Sequence, residues 1–566
     1  MNLPSHPATT LRLNFLIAGF FCAALLSSIP GSSQTAPGKY WIQFTDKDNS
    51  PYSTSHPEGF LSAECIQRRE KFDIPFDAKD IPVKDEYIEA VLSLGDCVVA
   101  NRSKWFNAIT IYTTDTLLIE SIAALPFVSE TRSVSVVYQG DKEKFCLTPY
   151  RENKSIEDYD ENNSSHYGPS FRQIEMLNGQ VMHELGFTGK GIRIALLDAG
   201  WHMTDVLPAF DRLRSNGQLM GVRDFVNGGN SVYNMSNHGS YVLSLMAGFI
   251  PDSLIGTAPD ALYWLFRTED APSEYVVEED NWVAAAEVCD SLGIDIINSS
   301  LGYSLFDDSL INHTYADMDG NSTRISIAAD IAAAKGILVV NSAGNSGDDP
   351  WHFITAPSDG DSVLCVGAVD ASRLHAPFSS YGPSADGDVK PNVCAMGLAA
   401  VIADMDSTVR VGNGTSFSSP IMAGMAACLM QSHPEKNNME IFRAIEQSAD
   451  LYPFYNDSLG YGIPDFYRAF LTLQSNPFES GESGVSLYPN PCDQYVDITL
   501  QSHRPGEVRF TVFDSRGRIV IEDCGLVSGN GVAAKRWDFN DDFQPGVYLL
   551  RVQDEAQEVL LKLVKK

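Results

Sequence analysis

The sequence predicts an α/β protein in which a central parallel sheet has helices on both faces. A small α+β unit precedes this sheet, and an all-β sandwich module follows it. Three observations support this prediction. Apolar strand-like runs alternate with helical patterns from about residue 170 to 473, as in sheets buried on both faces. Residues 38–140 mix strand-like runs with one short helix, whereas residues 485–566 contain strand and turn patterns alone.

Composition indicates a folded protein with an acidic surface. The chain has 566 residues, of which 44% are hydrophobic and 20% charged, so it can bury a large core. Its formal net charge of −33 argues against nucleic acid or an anionic membrane as the main partner, because both would repel it. No Cys/His spacing suggests a zinc site. Cys492 and Cys524 lie in one C-terminal module and could form a disulfide if the protein is exported.

The first 36 residues are predicted to be a secretory signal peptide. Residues 15–26 are apolar apart from Gly19, follow Arg12, and are followed by small residues. The apolar run is too short to span a bilayer, and no other run in the sequence approaches that length. A membrane anchor is the alternative interpretation.

The N-terminal α+β unit is assigned to residues 37–150. Residues 105–112 and 134–137 are predicted strands, and residues 117–125 have helical spacing. The acidic segment at 157–165 is either a calcium loop or a solvated linker, and its composition favours the linker.

Residues 151–473 are predicted to form the α/β domain. Ligand sites in such sheets form beyond the carboxyl ends of the strands. The strands are predicted at residues 192–197, 261–266, 294–297, 337–340 and 362–369, with helices at 238–249, 283–291 and 328–335 and another after Ser416. A linker rich in Ser, Gly, Glu and Pro at 474–484 separates this domain from the β-sandwich at 485–566.

The stretch at residues 412–420, Gly-Asn-Gly-Thr-Ser-Phe-Ser-Ser-Pro, leads into an apolar helix. A serine at this point has two interpretations. It could cap the helix, because Ser and Thr accept hydrogen bonds from the free N–H groups of a first turn. Alternatively, Ser416 is a nucleophile, because the positive end of a helix suits a reaction that creates an oxyanion.

Three further polar residues stand at the predicted carboxyl edge of the sheet: Asp198, His238 and Asn345. Each alone is readily explained as a cap, a hydrogen-bonded polar residue or a turn former. Together they supply what a serine nucleophile needs. His238 can act as the base, Asp198 can orient the imidazole, and Asn345 can donate its amide to the oxyanion beside the N–H of Ser416. The chain order Asp, His, Ser differs from that of the α/β-hydrolases.

Residues 190–473 resemble the subtilisin-like serine endopeptidases. The motifs that carry the resemblance are at residues 194–200, 238–240, 299–302, 343–345 and 414–420, supported by 366–369 and 378–383. The resemblance implies hydrolysis of peptide bonds through an acyl-enzyme, without a cofactor or catalytic metal; the sequence leaves structural calcium open. It also implies that Ser300, Leu301 and Gly302 offer an edge strand to the substrate. Ser342, Ala343 and Gly344 would line the specificity pocket.

Two residues depart from the family pattern. Ala199 replaces a hydroxyl residue after Asp198, which we expect to loosen the Asp198–His238 geometry or to raise the pKa of the carboxyl group. Tyr241 stands where a second His is usual, outside the proton-transfer chain. One rival is a sedolisin-like acid peptidase, against which the base His238 argues, because that family uses Glu. The other is an inactive subtilase-like adhesion or binding protein, although such copies usually lose a member of the triad.

The flanking units resemble two further families. Residues 38–140 resemble a subtilase propeptide in position and α+β pattern, which implies assisted folding and inhibition. The C-terminal unit resembles the type A sorting domain of the bacterial type IX secretion system, through residues 487–491, 514–518, 545–549 and 562–566. This implies export through the periplasm to the surface or exterior of a Gram-negative cell. The expected partners are protein substrates and the secretion machinery, and nucleic acid is not expected to bind. The mature chain is expected to be a monomer with no membrane span.

Overall fold

The computed structural model describes residues 38–136, 166–474 and most of 484–565. The predicted signal peptide, the acidic segment at 157–165 and nearly all of the predicted linker lie outside these residues. Within the described ranges, no helix combines the length and the apolar character that crossing a bilayer requires.

The N-terminal unit is an antiparallel sheet with the strand order β2-β3-β1-β4. Its strands are β1 (Gly38–Phe44), β2 (Cys97–Ser103), β3 (Ala108–Thr113) and β4 (Val128–Val136), and its helices are α1 (Ala63–Lys71), α2 (Asp85–Leu92) and α3 (Leu118–Ala123). The strand predicted from residue 105 starts only at Ala108. Asn107 has a φ of 52° and donates its side-chain amide to the carbonyl oxygen of Phe44, so it forms a turn.

The central domain contains a seven-stranded parallel sheet with the order β13-β12-β11-β10-β5-β9-β6. Its strands are β5 (Arg193–Asp198), β6 (Leu219–Asp224), β9 (Leu262–Arg267), β10 (Ile296–Ser299), β11 (Leu338–Ser342), β12 (Val363–Val369) and β13 (Val393–Met396); β7 (Phe249–Ile250) with β8 (Leu254–Ile255), and β14 (Ala400–Ala403) with β15 (Val409–Gly412), form small separate sheets. Its helices are α4 (Phe171–Glu175), α5 (Gly179–Glu184), α6 (Asp211–Ser215), α7 (His238–Ala247), α8 (Val277–Leu292), α9 (Arg324–Ala334), α10 (Thr415–Ser432), α11 (Asn438–Ser448) and α12 (Phe466–Gln474). The predicted parallel sheet is confirmed.

Helices cover both faces of this sheet, because successive side chains of a strand point in opposite directions. Ile194 and Leu196 of β5 pack into one apolar cluster with α7 and α10. Ala195 and Leu197 pack into another with α8 and α9. Every described residue of β10, β11, β12 and β13 is buried, as a sheet covered on both faces requires.

The order of the strands determines where a site can form. After β5 the chain builds β6 and β9 on one side of it, and then crosses to build β10 and β11 on the other side. A cleft is expected at this switch, beyond the carboxyl ends of the strands. Asp198, Ser299 and Ser342 end three of these strands there.

The N-terminal unit packs against α8 of the central domain. Glu287 accepts hydrogen bonds from the hydroxyl of Ser103 (2.6 Å) and from the backbone N–H groups of Lys104 (2.6 Å) and Trp105 (3.0 Å). Beside it, the buried Asp290 forms ion pairs with Arg68, Arg69 and Lys104 at 2.9–3.2 Å. An unpaired buried carboxylate is costly, and these contacts supply partners for both carboxylates where the two units meet.

The C-terminal unit is a β-sandwich, as predicted. One antiparallel sheet has the order β16-β17-β20 and the other β19-β18-β21-β22. Their strands are β16 (Gly484–Tyr488), β17 (Tyr495–Gln501), β18 (Gly506–Phe513), β19 (Ile519–Val527), β20 (Val532–Asp538), β21 (Gly546–Gln553) and β22 (Glu558–Lys565). Ile498 and Phe510, from different sheets, share one apolar core. Cys492 is buried, Cys524 is exposed, and the two are not joined, so the suggested disulfide is not formed.

Candidate active site

Asp198 and His238 form a buried hydrogen-bonded pair at the carboxyl edge of the sheet. The imidazole Nδ1 of His238 lies 2.8 and 2.9 Å from the two carboxylate oxygens of Asp198. Asp198 is 1% exposed and His238 5%. Since a carboxylate only accepts hydrogen bonds, Nδ1 carries the proton and Nε2 of the neutral ring is the basic nitrogen.

The surroundings of His238 favour its charged form. Burial alone would lower the pKa of the imidazole, but the Asp198 carboxylate and, more weakly, Glu269 outweigh burial, so the pKa is raised above its ordinary value. The expected loosening at Ala199 is not seen. The backbone N–H of Ala199 itself donates to Asp198 Oδ1 at 2.7 Å, while both Asp198–His238 distances stay short.

Ser416 is the second residue of α10, where backbone N–H groups at a helix start have no partner within the helix. It is 9% exposed, and its Oγ donates to the carbonyl oxygen of Ser300 at 3.3 Å. The next residue, Phe417, stacks on the ring of His238 with centroids 6.4 Å apart. The serine is thus at the positive end of a buried helix, beside the Asp198–His238 pair.

Ser300 holds the first turn of α10 in place. Pro420 is four residues after Ser416 and has no N–H, so the carbonyl oxygen of Ser416 lacks its usual helical donor. The hydroxyl of Ser300 supplies a hydrogen bond to that oxygen instead, at 3.0 Å. The sequence predicted Ser300 as a substrate-binding residue. The structure also gives it this contact with the backbone of Ser416.

Asn345 has a fixed amide orientation. Its Oδ1 accepts hydrogen bonds from the backbone N–H (2.8 Å) and the hydroxyl (3.0 Å) of Thr415, the residue before Ser416. Its Nδ2 lies near Gly414, 3.7 Å from where a Cβ would stand. The side chain is exposed, and none of the described residues accepts a hydrogen bond from Nδ2. The amide nitrogen is therefore available as a donor next to Ser416.

The predicted substrate-binding segments, 300–302 and 342–344, lie on adjacent strand ends. Asn341 Nδ2 donates to the carbonyl oxygen of Leu301 at 3.0 Å, which ties the two segments together. Gly302 is exposed, and no described residue hydrogen-bonds to its backbone. Gly302 and Gly344 both face the side chain of Thr355. The two predicted segments thus lie side by side at the carboxyl edge of the sheet, where the strand of Asp198 also ends.

Acidic side chains lie close to this cleft. Glu269 is 2% exposed and accepts a short hydrogen bond from the hydroxyl of Tyr303, just beyond Gly302. Glu269, Glu274 and Glu278 have oxygens close enough to hold a cation, as do the exposed Asp361, Asp386 and Asp388. Glu278 already accepts two backbone N–H groups, from Asp270 and Tyr275. These are the groups of described residues that could hold a metal ion.

Comparison with known protein families assigns the three units of this chain. The model of the subtilase family matches residues 189–464, that of the Bacteroidota peptidase S8 propeptide domain residues 39–145, and that of the secretion system C-terminal sorting domain residues 486–566. The chain therefore carries a subtilase-family domain and is a serine-type endopeptidase made as a zymogen. Its sorting domain implies secretion or surface location through the type IX system.

The chain is similar to individual proteases of known sequence or structure. Subtilisin NAT of Bacillus subtilis subsp. natto is 26% identical over 293 residues, which cover 51% of this chain and 68% of that protein. The thermophilic serine proteinase of Bacillus sp. (strain AK1) is 30% identical over 283 residues, covering 49% and 61%. Among solved structures, the MycP3 protease from the type VII (ESX-3) secretion system is similar with a TM-score of 0.42 and 20% identity, over 53% of this chain and 87% of that one.

Several residues that shape the site were not predicted from the sequence. Thr415 orients Asn345, Glu269 lies near His238, and Thr355 stands between the two glycines. The sequence does indicate that the carbonyl oxygen of Ser416 needs another donor. Pro420, four residues later in the helix, has no N–H to donate to it. Nothing in the local sequence marks Thr355 or Glu269.

Proposed function

We propose that this secreted serine peptidase cleaves peptide bonds through an acyl-enzyme on Ser416, with His238 as general base and acid and Asp198 as its orienting carboxylate. The observation that carries the proposal is the short, buried hydrogen bond between Asp198 and His238 beside the start of α10. That bond keeps the proton on Nδ1 and leaves Nε2 to take the proton of the serine hydroxyl.

In the first step, Ser416 Oγ attacks the substrate carbonyl carbon and His238 takes its proton. The resulting oxyanion lies between the backbone N–H of Ser416 and Asn345 Nδ2. His238 then gives the proton to the leaving amine as the C–N bond breaks. Water then attacks the acyl carbon while His238 takes its proton; the ester C–O bond breaks, His238 gives the proton to Ser416 Oγ, and the new carboxyl group leaves.

In this scheme His238 transfers each proton, and side-chain and backbone groups of the chain stabilise each charge. We therefore propose that no cofactor or metal takes part in catalysis, and that the mature enzyme acts as a monomer. Substrate would pair with Gly302 as an added strand, since its backbone hydrogen-bonding groups are free among the described residues.

Maturation completes the proposal. Export through the periplasm would remove the signal at residues 1–36, and activation would release the N-terminal unit from α8. The sorting unit, 485–566 by our assignment, would be cut off after the linker. Deleting residues 485–566 should then leave the protein in the periplasm; a truncated protein that still reaches the cell surface would contradict this assignment.

The proposed chemistry is tested with Ser416→Ala in the full-length chain. Casein digestion should disappear while the melting temperature is kept. Ser418→Ala is the matched control, because Ser418 is a buried serine in the same helix turn whose hydroxyl donates only to the carbonyl oxygen of Thr415. The control should digest casein. Digestion that persists in Ser416→Ala would overturn the proposal and favour another nucleophile.

A further inference from the structure

The space between the two predicted walls of the specificity pocket is filled by Thr355. A Cβ on Gly302 would stand 2.1 Å from Thr355 Oγ1, closer than side-chain carbons approach, and a Cβ on Gly344 would stand 3.2 Å from it. Only glycine therefore fits at position 302 opposite this threonine. The two glycines make room for Thr355 and do not leave an open pocket.

The position of Thr355 is fixed by its neighbour. Tyr303 and Ala356 exchange two backbone hydrogen bonds of 2.9 and 3.2 Å, which pin the segment carrying Thr355 against the end of the substrate-binding segment. The carbonyl oxygen of Thr355 accepts a further bond of 2.8 Å from Ser358 N. These bonds fix the backbone at Thr355, so its Cβ stays at the end of the substrate-binding segment.

The hydroxyl of Thr355 has no partner among the described residues, although the residue is only 5% exposed. Leaving a buried hydroxyl unpaired is costly. By contrast, the nearby Ser380 hydroxyl, 2.8 Å from a Cβ built on Gly344, accepts a hydrogen bond from Ser346 N. Thr355 Oγ1 instead faces the two glycines between which a substrate side chain would enter.

We propose that Thr355 determines which residue is accepted on the amino side of the cleaved bond, the P1 residue. Its bulk limits P1 to small side chains, and its free hydroxyl favours serine over alanine by pairing with the P1 hydroxyl. Large aromatic and branched side chains are excluded. This inference rests on the proposed function, because it assigns the segments at 300–302 and 342–344 to the P1 pocket.

Two substitutions separate bulk from hydrogen bonding. In the full-length chain, allowed to mature, Thr355→Gly should raise kcat/KM for a P1 Phe peptide by ~10-fold or more, because it opens the pocket. Thr355→Val keeps the size and removes the hydroxyl. Thr355→Val should still exclude P1 Phe. It should lower the ratio of kcat/KM for P1 Ser to kcat/KM for P1 Ala from ~10-fold to close to one. Ser448→Ala, which removes a buried hydroxyl from α11 of the central domain, is the control and should leave the P1 profile unchanged.

Peptides that differ only at P1 and a fluorophosphonate that labels the nucleophile irrespective of P1 are used together. A wild type that is labelled at Ser416 but cleaves P1 Phe as well as P1 Ala overturns the role of Thr355 and leaves the proposed function intact. A serine preference that survives Thr355→Val overturns the hydroxyl's role. A wild type that is neither labelled nor active overturns the proposed function, and the P1 assignment with it.

Discussion

Ser300 and Ser416 exchange two hydrogen bonds across the cleft. The hydroxyl of Ser300 donates to the carbonyl oxygen of Ser416 at 3.0 Å, and the hydroxyl of Ser416 donates to the carbonyl oxygen of Ser300 at 3.3 Å. The first bond replaces the helical bond that Pro420 cannot make. The second fixes where the Ser416 hydroxyl lies before a substrate arrives.

Ser300→Ala should lower turnover and stability together, because it leaves the buried Ser416 carbonyl unpaired, at a cost of about 1–3 kcal/mol. The double variant with Pro420→Ala returns an N–H to the helix and should recover much of the melting temperature. Thermal unfolding and kcat of the wild type and the two variants check this. If adding Pro420→Ala to Ser300→Ala does not raise the melting temperature, the Ser300 hydroxyl does not replace the helical donor that Pro420 lacks.

Asn345→Ala should cut kcat far more than it changes KM, because the amide reaches an oxyanion that exists only in the transition state. The expected loss of about 10²–10³-fold is carried over from subtilisin, a member of the same family, and does not follow from the distances given above.

Asn345→Asp is the matched variant, since it keeps the oxygen that Thr415 binds but replaces the donor with a negatively charged oxygen that repels the oxyanion. It should lose turnover as Asn345→Ala does, with a smaller drop in melting temperature. Unchanged turnover with a lower melting temperature in Asn345→Ala would make Asn345 a turn former and remove it from the oxyanion site.

The pH dependence of kcat/KM should reveal the charge around His238. Because Asp198 and Glu269 raise the pKa of the imidazole, activity should be lost as pH falls through a value above that of an ordinary histidine. Glu269→Gln removes one of the two negative charges. The acid limb of the profile, where kcat/KM falls with falling pH, should therefore move to lower pH. A limb that stays in place in Glu269→Gln would show that Glu269 does not act on His238.

The hold of the N-terminal unit on α8 should weaken as pH rises. Burial raises the pKa of Glu287 from 4.5 to about 7, so its protonated form is favoured while the units are together. When the units separate, Glu287 becomes exposed, its pKa returns to its ordinary value and it loses its proton. Rising pH between 4.5 and about 7 therefore favours separation of the N-terminal unit. The neighbouring Asp290 does not titrate in this window, because its ion pairs overcome burial and hold its pKa at about 2.

Glu287→Gln should remove most of this pH dependence, which size-exclusion chromatography of the processed protein at pH 5 to 8 would measure. Glu120→Gln, a change at an exposed acid of α3 in the N-terminal unit, is the control and should behave as wild type. If the wild-type protein retains the N-terminal unit equally at every pH, the account is contradicted.

The sequence predicted the fold well where the physical signal is local. Apolar runs predicted β5, β9, β10, β11 and β12 within one or two residues, because a strand covered on both faces must be apolar throughout. The polar residues at their ends predicted the site, since parallel strands bring their carboxyl ends to one edge. Two edge strands were missed: β6, which contains Gly221 and Arg223, and the four-residue β13.

Contacts between distant segments could not be predicted. Thr355 reaches Gly302 only because the Tyr303–Ala356 bridge joins two loops that are more than 50 residues apart. Glu269 acts near His238 through the pairing of β9 with β5. Such neighbours depend on strand order and register, which the local sequence does not contain.

The most direct test of the central claim is to locate the adduct of a fluorophosphonate on the secreted, mature enzyme by mass spectrometry. The account predicts a single phosphonylated peptide from the start of α10, modified at Ser416, and no labelling of Ser416→Ala. Because labelling needs a base, it should also fall strongly in His238→Ala. An adduct on any other serine, or equal labelling of Ser416→Ala, would contradict the account.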